Sequence, residues 1–292
     1  MNKKILVTGG CGFIGSNLVD ILVEDSNNEV VVIDNLDTGK KEYCNKKATY
    51  IFKDIRDVFS PDNLLWESLK DVEIVFHLAA LARIQPSFKK PIDTFDINVQ
   101  GTALVCEYAR KIGAKVVYAG SSSYYGGVYL NPYAFAKWQG EEVCRMYSEV
   151  YGLHTSVARF FNVYGDRHPK LGPYATVVGV FERQYRNKES LTITGNGEQR
   201  RDFTHVEDIC RGLIALSQEE FKGEPFNLGT GTNHSINQLA DLFTESDKKY
   251  IPARDGEAWI TLADISETTS STGWTPKVKL EDYISSWILK NK

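Results

Sequence analysis

The sequence of 292 residues is poor in cysteine, in charge of one sign and in long hydrophobic runs. Its five cysteines are scattered without a C-x-x-C pair, so we expect neither a disulfide framework nor a bound metal. The net charge of -4 comes from interspersed charges without a basic stripe, which argues against nucleic-acid binding. No apolar run reaches the roughly 18 residues of a membrane span, and the apolar stretch at the start is too short for a signal peptide. We therefore expect a cytoplasmic globular protein with no membrane partner.

What the sequence does have is a regular alternation of short apolar runs with helical patterns. The runs that predict buried parallel strands are 4–7, 30–33, 74–78, 115–118 and 155–161. Between the first two lies the apolar stripe of an amphipathic helix, at positions 14, 18, 21 and 22. Helices predicted over 94–112 and 133–151 are long enough to cross between parallel strands. The fold class is therefore α/β, with a Rossmann-type doubly wound parallel sheet.

The pattern of elements changes near residue 165, where the stretch 166–173 is rich in turn residues. Short mixed elements follow, and 282–289 predicts a closing helix. We expect a Rossmann domain over 1–165 and a smaller mixed α/β domain over 166–292. A segment near 202–230 is expected to return to the first domain.

Three glycines, Gly9, Gly12 and Gly15, lie directly between the first predicted strand and the next helix. The first permits a tight turn, the second lets the backbone approach a pyrophosphate, and the third lets helix and strand pack closely. The helix N-terminus at Phe13 and Ile14 then faces the negative charge. The turn predicts a bound dinucleotide, the alternative being a purely structural glycine-rich turn.

A carboxylate at the end of the second strand predicts which dinucleotide is bound. Asp34, followed by Asn35, is placed to accept hydrogen bonds from the adenosine ribose, and its charge would repel a 2'-phosphate. NAD is therefore expected rather than NADP, and only the lysines at 40 and 41 argue otherwise. Two residues after the third strand are candidates for contact with the adenine, although the first could simply cap the strand: Asp54 and Ile55.

Tyr133 and Lys137 are four residues apart and therefore share one face of the helix predicted to begin near Pro132. A tyrosine titrates near pH 10, so it needs a neighbouring cation to act as a base at neutral pH. Lys137 and the nicotinamide charge would supply that cation. Three serines at 121–123 stand at a strand end, where ligands of open α/β sheets bind. The alternative is an ordinary amphipathic helix without chemistry.

With these motifs the chain resembles the extended short-chain dehydrogenase/reductase family of nucleotide-sugar epimerases, dehydratases and decarboxylases. The matching segments are 9–15, 77–80, 98–102, 121–126, 133–137, 159–165, 201–203, 227–229 and 254–257. The resemblance implies further cofactor contacts from Leu78, Ala79, Ala80 and Asn98. It also implies an NAD-binding first domain and a nucleotide-sugar-binding second domain.

The resemblance makes Ser121 the catalytic hydroxyl that binds the reacting sugar oxygen. Related dehydratases carry an acidic pair at the next two positions, and decarboxylases a glutamate at the second, whereas this chain has Ser122 and Ser123. What remains is 4-epimerisation through a transient 4-keto sugar, with NAD taking and returning the hydride. The alternatives are a 4-reductase or dehydrogenase, a decarboxylase or dehydratase, and a non-catalytic NAD-sensing protein.

The resemblance also assigns the substrate side. Arg201 and Arg254 match the family's phosphate clamps, Asn162 reaches the diphosphate, and Phe160 borders the sugar, which the two serines also contact. Thr261 is small where a bulky residue would exclude an N-acetyl group, so UDP-hexoses and UDP-N-acetylhexosamines are both expected as substrates. The loop 127–132 is shorter than in most relatives, which leaves the choice of sugar open.

Family members commonly dimerise through the two helices that correspond to 94–112 and 133–151. A homodimer is therefore expected here.

Overall fold

The computed structural model describes residues 3–60, 63–244 and 246–291. Its strands in chain order are β1 (Lys3–Thr8), β2 (Asn28–Ile33), β3 (Thr49–Ile51), β4 (Ile74–His77), β5 (Lys115–Ser121), β6 (Thr155–Phe160), β7 (Val163–Tyr164), β8 (Leu191–Thr194), β9 (Arg200–Arg201), β10 (Thr204–His205), β11 (Lys222–Leu228), β12 (His234–Ser235) and β13 (Lys248–Ile251).

The helices in chain order are α1 (Phe13–Leu22), α2 (Ile55–Val58), α3 (Ile84–Lys89), α4 (Pro91–Phe95), α5 (Gly101–Ile112), α6 (Ser123–Gly126), α7 (Pro132–Tyr151), α8 (Val177–Arg186), α9 (Val206–Gln218), α10 (Ile236–Asp241), α11 (Ser266–Thr272) and α12 (Leu280–Asn291). A π-helical turn, Asp96–Gln100, joins α4 to α5, and short 3-10 helices span Lys41–Tyr43 and Leu64–Leu69. None of the helices formed by the described residues is long and apolar enough to cross a membrane.

A seven-stranded parallel sheet in the order β11-β6-β5-β4-β1-β2-β3 forms the centre of the fold. The strand order reverses between β1 and β4, and such a switch point is where open α/β sheets bind ligands. The pairings align the carboxyl ends, since Thr8 lies opposite both Ile33 and His77. The predicted α/β class with a doubly wound parallel sheet is confirmed.

Both faces of this sheet are buried, as a parallel sheet requires. On one face the apolar side chains of β1, β2 and β4 pack with α1 and α9, around Leu18, Val19 and Leu213. On the other face they pack with α5 and α7, around Val105 and Cys144. The sheet therefore holds the residues at its carboxyl edge on a rigid support.

Helix α7 begins and ends at residues whose chemistry explains both boundaries. Asn131 caps it by accepting a 2.8 Å hydrogen bond from the Ala134 N–H, and Pro132 occupies the first turn. Gly152 ends it in the left-handed conformation (φ 70°). The helix therefore starts one residue before Tyr133, which lies at the carboxyl edge of the sheet.

The elements after residue 165 divide between the sheet and a second apolar cluster. Helix α9 and strand β11 belong to the sheet, whereas α8, α10 and α12 pack around Phe181, Leu239 and Ile284. Three two-stranded pairs lie outside the central sheet: β7 with β10, β9 with β12 and β8 with β13.

Candidate active site

A cleft of about 1260 Å³, open to solvent, follows the carboxyl edge of the sheet on both sides of the switch point. Most of the residues predicted for the cofactor line it. Those residues are Gly9, Gly12, Phe13, Ile14, Gly15, Asp34, Asn35, Asp54, Ile55, Leu78, Ala79, Ala80, Tyr133 and Lys137. Phe160, predicted for the sugar, lines it as well. Residues far apart in sequence therefore share one wall.

The glycine turn leaves no room for side chains at two of its positions. A Cβ on Gly15 would lie 2.1 Å from the Gly9 carbonyl oxygen, and one on Gly9, whose φ is 74°, would lie 2.8 Å from the Ala79 nitrogen. Helix α1 starts directly after Gly12, so its first N–H groups have no partners within the helix. These N–H groups and the bare backbone fit a dinucleotide pyrophosphate.

Asp34 is held in place by two backbone N–H groups on the cleft wall. Its carboxylate accepts hydrogen bonds from Cys11 (2.9 Å) and Leu36 (2.8 Å). A fixed carboxylate at this position suits the two hydroxyls of a ribose. Asp34 therefore fits NAD as the sequence predicted.

Asp54 lines the cleft, where it was expected to contact the adenine, and it caps helix α2 rather than the preceding strand. Its side chain accepts hydrogen bonds from the Arg56 N–H (2.9 Å) and from Asn35 (3.0 Å). The Arg56 guanidinium is the main cause that lowers the Asp54 pKa. Asp54 is therefore an anionic group next to Ile55 in the cleft wall.

Asn98 differs from the other predicted cofactor residues because it is buried and is absent from the cleft lining. Its amide accepts from the Leu81 N–H (2.9 Å) and donates to the Leu81 carbonyl (3.0 Å). Asn98 thus fixes the loop after β4, which carries Leu78, Ala79 and Ala80.

Ser121 and Tyr133 meet at one end of the cleft. The Tyr133 hydroxyl lies 3.4 Å from Ser121 Oγ, which also accepts a 2.8 Å hydrogen bond from the Ser123 hydroxyl. Burial raises the Tyr133 pKa, while the hydrogen bond with Ser121 and the charge of Arg83 lower it. The structure thus brings together a phenol and two hydroxyls, none of which hydrogen-bonds to a carboxylate in the part of the chain that the structure describes.

Lys137 lines the cleft together with Tyr133, the residue beside which its charge was expected. Its Nζ lies 4.1 Å from the centre of the Tyr118 ring, and Arg83 is the cation that lowers the Tyr133 pKa. Burial lowers the Lys137 pKa to about 8, against the opposing charge of Glu141. The four-residue spacing places Tyr133 and Lys137 on one face of α7, and the Lys137 ammonium group lies over the Tyr118 ring.

Replacing Lys137 with Met is expected to reduce turnover without reducing stability at about pH 7. The folded state holds the Lys137 pKa at about 8, below its usual 10.5, so the protonated side chain opposes folding by about 3 kcal/mol. Between those two values the unfolded state binds more protons, so wild-type stability rises with pH there. Urea denaturation at about pH 7 and about pH 10, at equal NAD content, checks this. A variant clearly less stable than wild type at about pH 7 would contradict it.

A buried ion pair beneath the site escaped the sequence analysis. Arg159 donates to Glu141 through Nη2 (2.7 Å) and Nε (3.1 Å), and both side chains are nearly inaccessible. A Cβ on Gly120 would lie 2.9 Å from the Glu141 carboxylate. Burial raises the Glu141 pKa, and Arg159 and Lys137 oppose that shift. The signal that could have found Glu141 was its place one helical turn after Lys137.

Replacing Arg159 with Met is expected to lower the free energy of unfolding by about 3 kcal/mol, because it leaves the Glu141 carboxyl buried without its partner. Adding Glu141→Gln to that variant should recover most of the loss. Urea denaturation of the two single variants and the double variant measures the coupling. Equal losses in the Arg159→Met and double variants would show that the pair does not carry the effect.

The residues predicted for the substrate diphosphate lie outside the cleft lining. Arg201 is buried and donates to the carbonyls of Arg200 (3.0 Å) and Trp259 (3.3 Å), with Glu257 at 3.5 Å. Arg254 is more than half exposed and lies 4.0 Å from the same Glu257. The two arginines therefore share one carboxylate.

The remaining predicted substrate residues make contacts within the protein. Thr261 is buried; its hydroxyl accepts from the Asp202 N–H (3.3 Å) and donates to the Asn162 side chain (3.4 Å). Ser122 is buried, and its N–H donates to the Phe160 carbonyl (3.0 Å). Thr261 and Asn162 thus form one pair, apart from the serines.

Comparison with known proteins identifies the family. The model of the NAD dependent epimerase/dehydratase family matches residues 5–229. The chain belongs to this family. NAD is therefore its cofactor, as Asp34 and the glycine turn predicted.

Members of the epimerase/dehydratase family with several activities match over nearly the whole chain. UDP-glucuronic acid decarboxylase 3 of Arabidopsis thaliana is 33% identical, over 96% of this chain and 86% of that protein. The UDP-N-acetylglucosamine 4-epimerase of Methanobrevibacter ruminantium, solved with UDP-N-acetylmuramic acid, has a TM-score of 0.89 and 32% identity, covering 100% of this chain and 99% of that one. The UDP-glucuronic acid 4-epimerase of Bacillus cereus, solved with UDP-glucuronic acid and NAD, has a TM-score of 0.87 and 28% identity, covering 99% and 100%. The expected enzyme class, an isomerase, is that of the two epimerases.

Proposed function

We propose that this protein is an NAD-dependent UDP-sugar 4-epimerase. The observation that carries the proposal is the group at the end of the cleft, where Tyr133 meets Ser121 and Ser123 and, among the described residues, none of the three hydroxyls hydrogen-bonds to a carboxylate. Tyr133 is one proton-transfer group for the C4 hydroxyl, whereas loss of water also needs an acid and a base at the two carbons that lose the hydroxyl and the proton. This set of side chains favours inversion of the configuration at one sugar carbon over loss of water.

In the proposed mechanism Ser121 donates a hydrogen bond to the C4 oxygen and Tyr133 accepts the C4 hydroxyl proton. Bound NAD would supply the hydride acceptor and donor for C4, so that the 4-keto sugar could be reduced again from its opposite face. Ser123 orients Ser121 through the 2.8 Å hydrogen bond between their hydroxyls. Tyr133 gives the proton back when the C4 hydroxyl forms again.

The chain would hold NAD along the wall already described. The turn of Gly9, Gly12 and Gly15 takes the pyrophosphate at the N-terminus of α1, and Asp34 binds the adenosine ribose. Lys137 is proposed to bind the nicotinamide ribose, and Asn98 to support the loop around Ala79. Because the cofactor ends each cycle as it began, tight retention is expected.

On the substrate side, Arg201 and Arg254 are proposed to bind the diphosphate, with Asn162 beside them. A phosphate would then compete with Glu257, the carboxylate that both arginines now face. Thr261 leaves the sugar's C2 side small in this assignment, so UDP-N-acetylhexosamines are expected beside UDP-hexoses. Both substrates should turn over in an assay of the wild-type enzyme.

The decarboxylase among the relatives supplies the main alternative function. A decarboxylase of this family is expected to carry a glutamate at the position of Ser123. Release of carbon dioxide from UDP-glucuronic acid would favour this alternative, and interconversion of the C4 epimers without carbon loss would exclude it as the main reaction.

A cytoplasmic homodimer with two domains is proposed as the working form. Apolar side chains on the outer faces of α4 and α7 are exposed, among them Ile92, Met146, Val150 and Tyr151. The five cysteines are free although two pairs of sulfur atoms lie within 4 Å, which suits a reducing compartment. Light scattering in solution tests the dimer, and a monomeric mass would contradict it.

A further inference from the structure

Arg83 is a cation in the cleft wall that the mechanism leaves without a role. It lines the cleft together with Tyr133 and Tyr174, at the reacting end. Its Nε donates a 2.9 Å hydrogen bond to the Tyr174 carbonyl, which fixes one edge of the guanidinium. The remaining N–H groups make no hydrogen bond or ion pair with any other part of the chain that the structure describes.

Hydrogen bonds to other parts of the chain fix the segment around Arg83. Arg83 directly precedes helix α3 in extended conformation. In that helix, Ser87 accepts a hydrogen bond from the Tyr133 N–H (3.1 Å), and Gln85 donates to the Asp255 carbonyl (2.9 Å). Three separate segments thus hold the position of this cation relative to Tyr133.

The unpaired nitrogens of Arg83 open into the cleft, since they are not among the buried side-chain atoms that lack a hydrogen-bond partner. Burial lowers the Arg83 pKa, and only the phenols of Tyr133 and Tyr174 oppose that shift. Planar guanidinium groups bind carboxylates and phosphates with paired hydrogen bonds. An anionic group of a ligand in the cleft can therefore pair with the free edge of this guanidinium.

We propose that Arg83 binds an oxyanion of the nucleotide-sugar substrate beside Tyr133. The inference rests on the proposed function in that the substrate is a nucleotide sugar. Such a ligand offers two oxyanions, its diphosphate and, in a hexuronic acid, a carboxylate on the sugar. The place beside Tyr133 favours the sugar carboxylate, since Arg201 and Arg254 are the residues proposed for the diphosphate.

The test measures binding, so that it does not depend on turnover. Calorimetric titration of the NAD-loaded Tyr133→Phe enzyme with UDP-glucose and with UDP-glucuronic acid gives a Kd for each ligand, with and without Arg83→Gln. Arg145→Gln serves as the control, because Arg145 is an exposed residue of α7 paired with Glu149. NAD content and circular dichroism check that each variant is folded.

A sugar carboxylate on Arg83 predicts that Arg83→Gln raises the Kd of UDP-glucuronic acid about 10- to 100-fold and leaves that of UDP-glucose unchanged. A diphosphate predicts the same rise for both ligands. Unchanged Kd values for both ligands would overturn the proposal.

If Arg83→Gln does not fold, Arg83→Lys replaces it. Loss of the paired geometry should still weaken the anionic contact several-fold, and an unchanged Kd for both ligands would again overturn the proposal. Absence of epimerase activity in the wild type, with these shifts present, would refute the proposed function and leave this inference standing.

Discussion

Replacing Tyr133 with Phe is expected to lower kcat for C4 epimerisation by about 10²- to 10⁴-fold, the contribution of one positioned general acid–base group. The ring is kept, so the packing around α7 and the binding of NAD should change little. Only the hydroxyl that lies 3.4 Å from Ser121 Oγ is lost. Steady-state rates measured by NMR of the two C4 epimers test this expectation.

The matched control for this variant is Tyr151→Phe, on the exposed end of the same helix. It should retain the wild-type rate. If Tyr133→Phe turned over substrate as fast as this control, the proton transfer assigned to Tyr133 would be wrong.

Replacing Gly15 with Ala is expected to abolish retention of NAD and to destabilise the protein. The new Cβ would lie 2.1 Å from the Gly9 carbonyl oxygen and 2.8 Å from Gly10 Cα, both backbone atoms that cannot move without opening the turn. The overpacking alone costs about 1–3 kcal/mol, and the displaced helix α1 no longer presents its N–H groups to the pyrophosphate. Mass spectrometry of the purified protein measures the NAD that each variant carries.

Gly152→Ala provides the comparison, because a Cβ at Gly152 meets nothing within 4 Å. That variant loses about 1 kcal/mol from its left-handed backbone and should keep its NAD. Wild-type NAD content in Gly15→Ala would show that the turn tolerates a side chain and is not the pyrophosphate site.

The parts of the site that sequence reasoning found are those that depend on local order. The glycine turn and Asp34 follow directly from two strand ends, and a parallel sheet aligns such ends whatever surrounds them. Tyr133 follows from its place in the first turn of a helix behind a strand. These residues lie in one cleft, as expected.

The parts that were missed or differ depend on contacts between distant segments. Arg83 and Glu141 carry no motif, and the motif that begins at Arg159 does not indicate its ion pair. Only the packing of α3 and α7 on the sheet brings these residues to the site. Asn98 and Thr261 match the family's pattern, yet their side chains bond within the protein. A sequence pattern shows which residue types are present, whereas the fold determines which other side chains they contact.

The glycine turn and the serines at the reacting end together support a cofactor that is kept while a sugar is inverted at one carbon. The most direct test is to incubate purified wild-type protein, without added cofactor, with UDP-glucose or UDP-N-acetylglucosamine and to follow the sugar by NMR. The account predicts interconversion of the C4 epimers, with bound NAD found by mass spectrometry and no accumulation of NADH. Stoichiometric NADH with an oxidised sugar, or loss of NAD during purification with activity only on its addition, would contradict it.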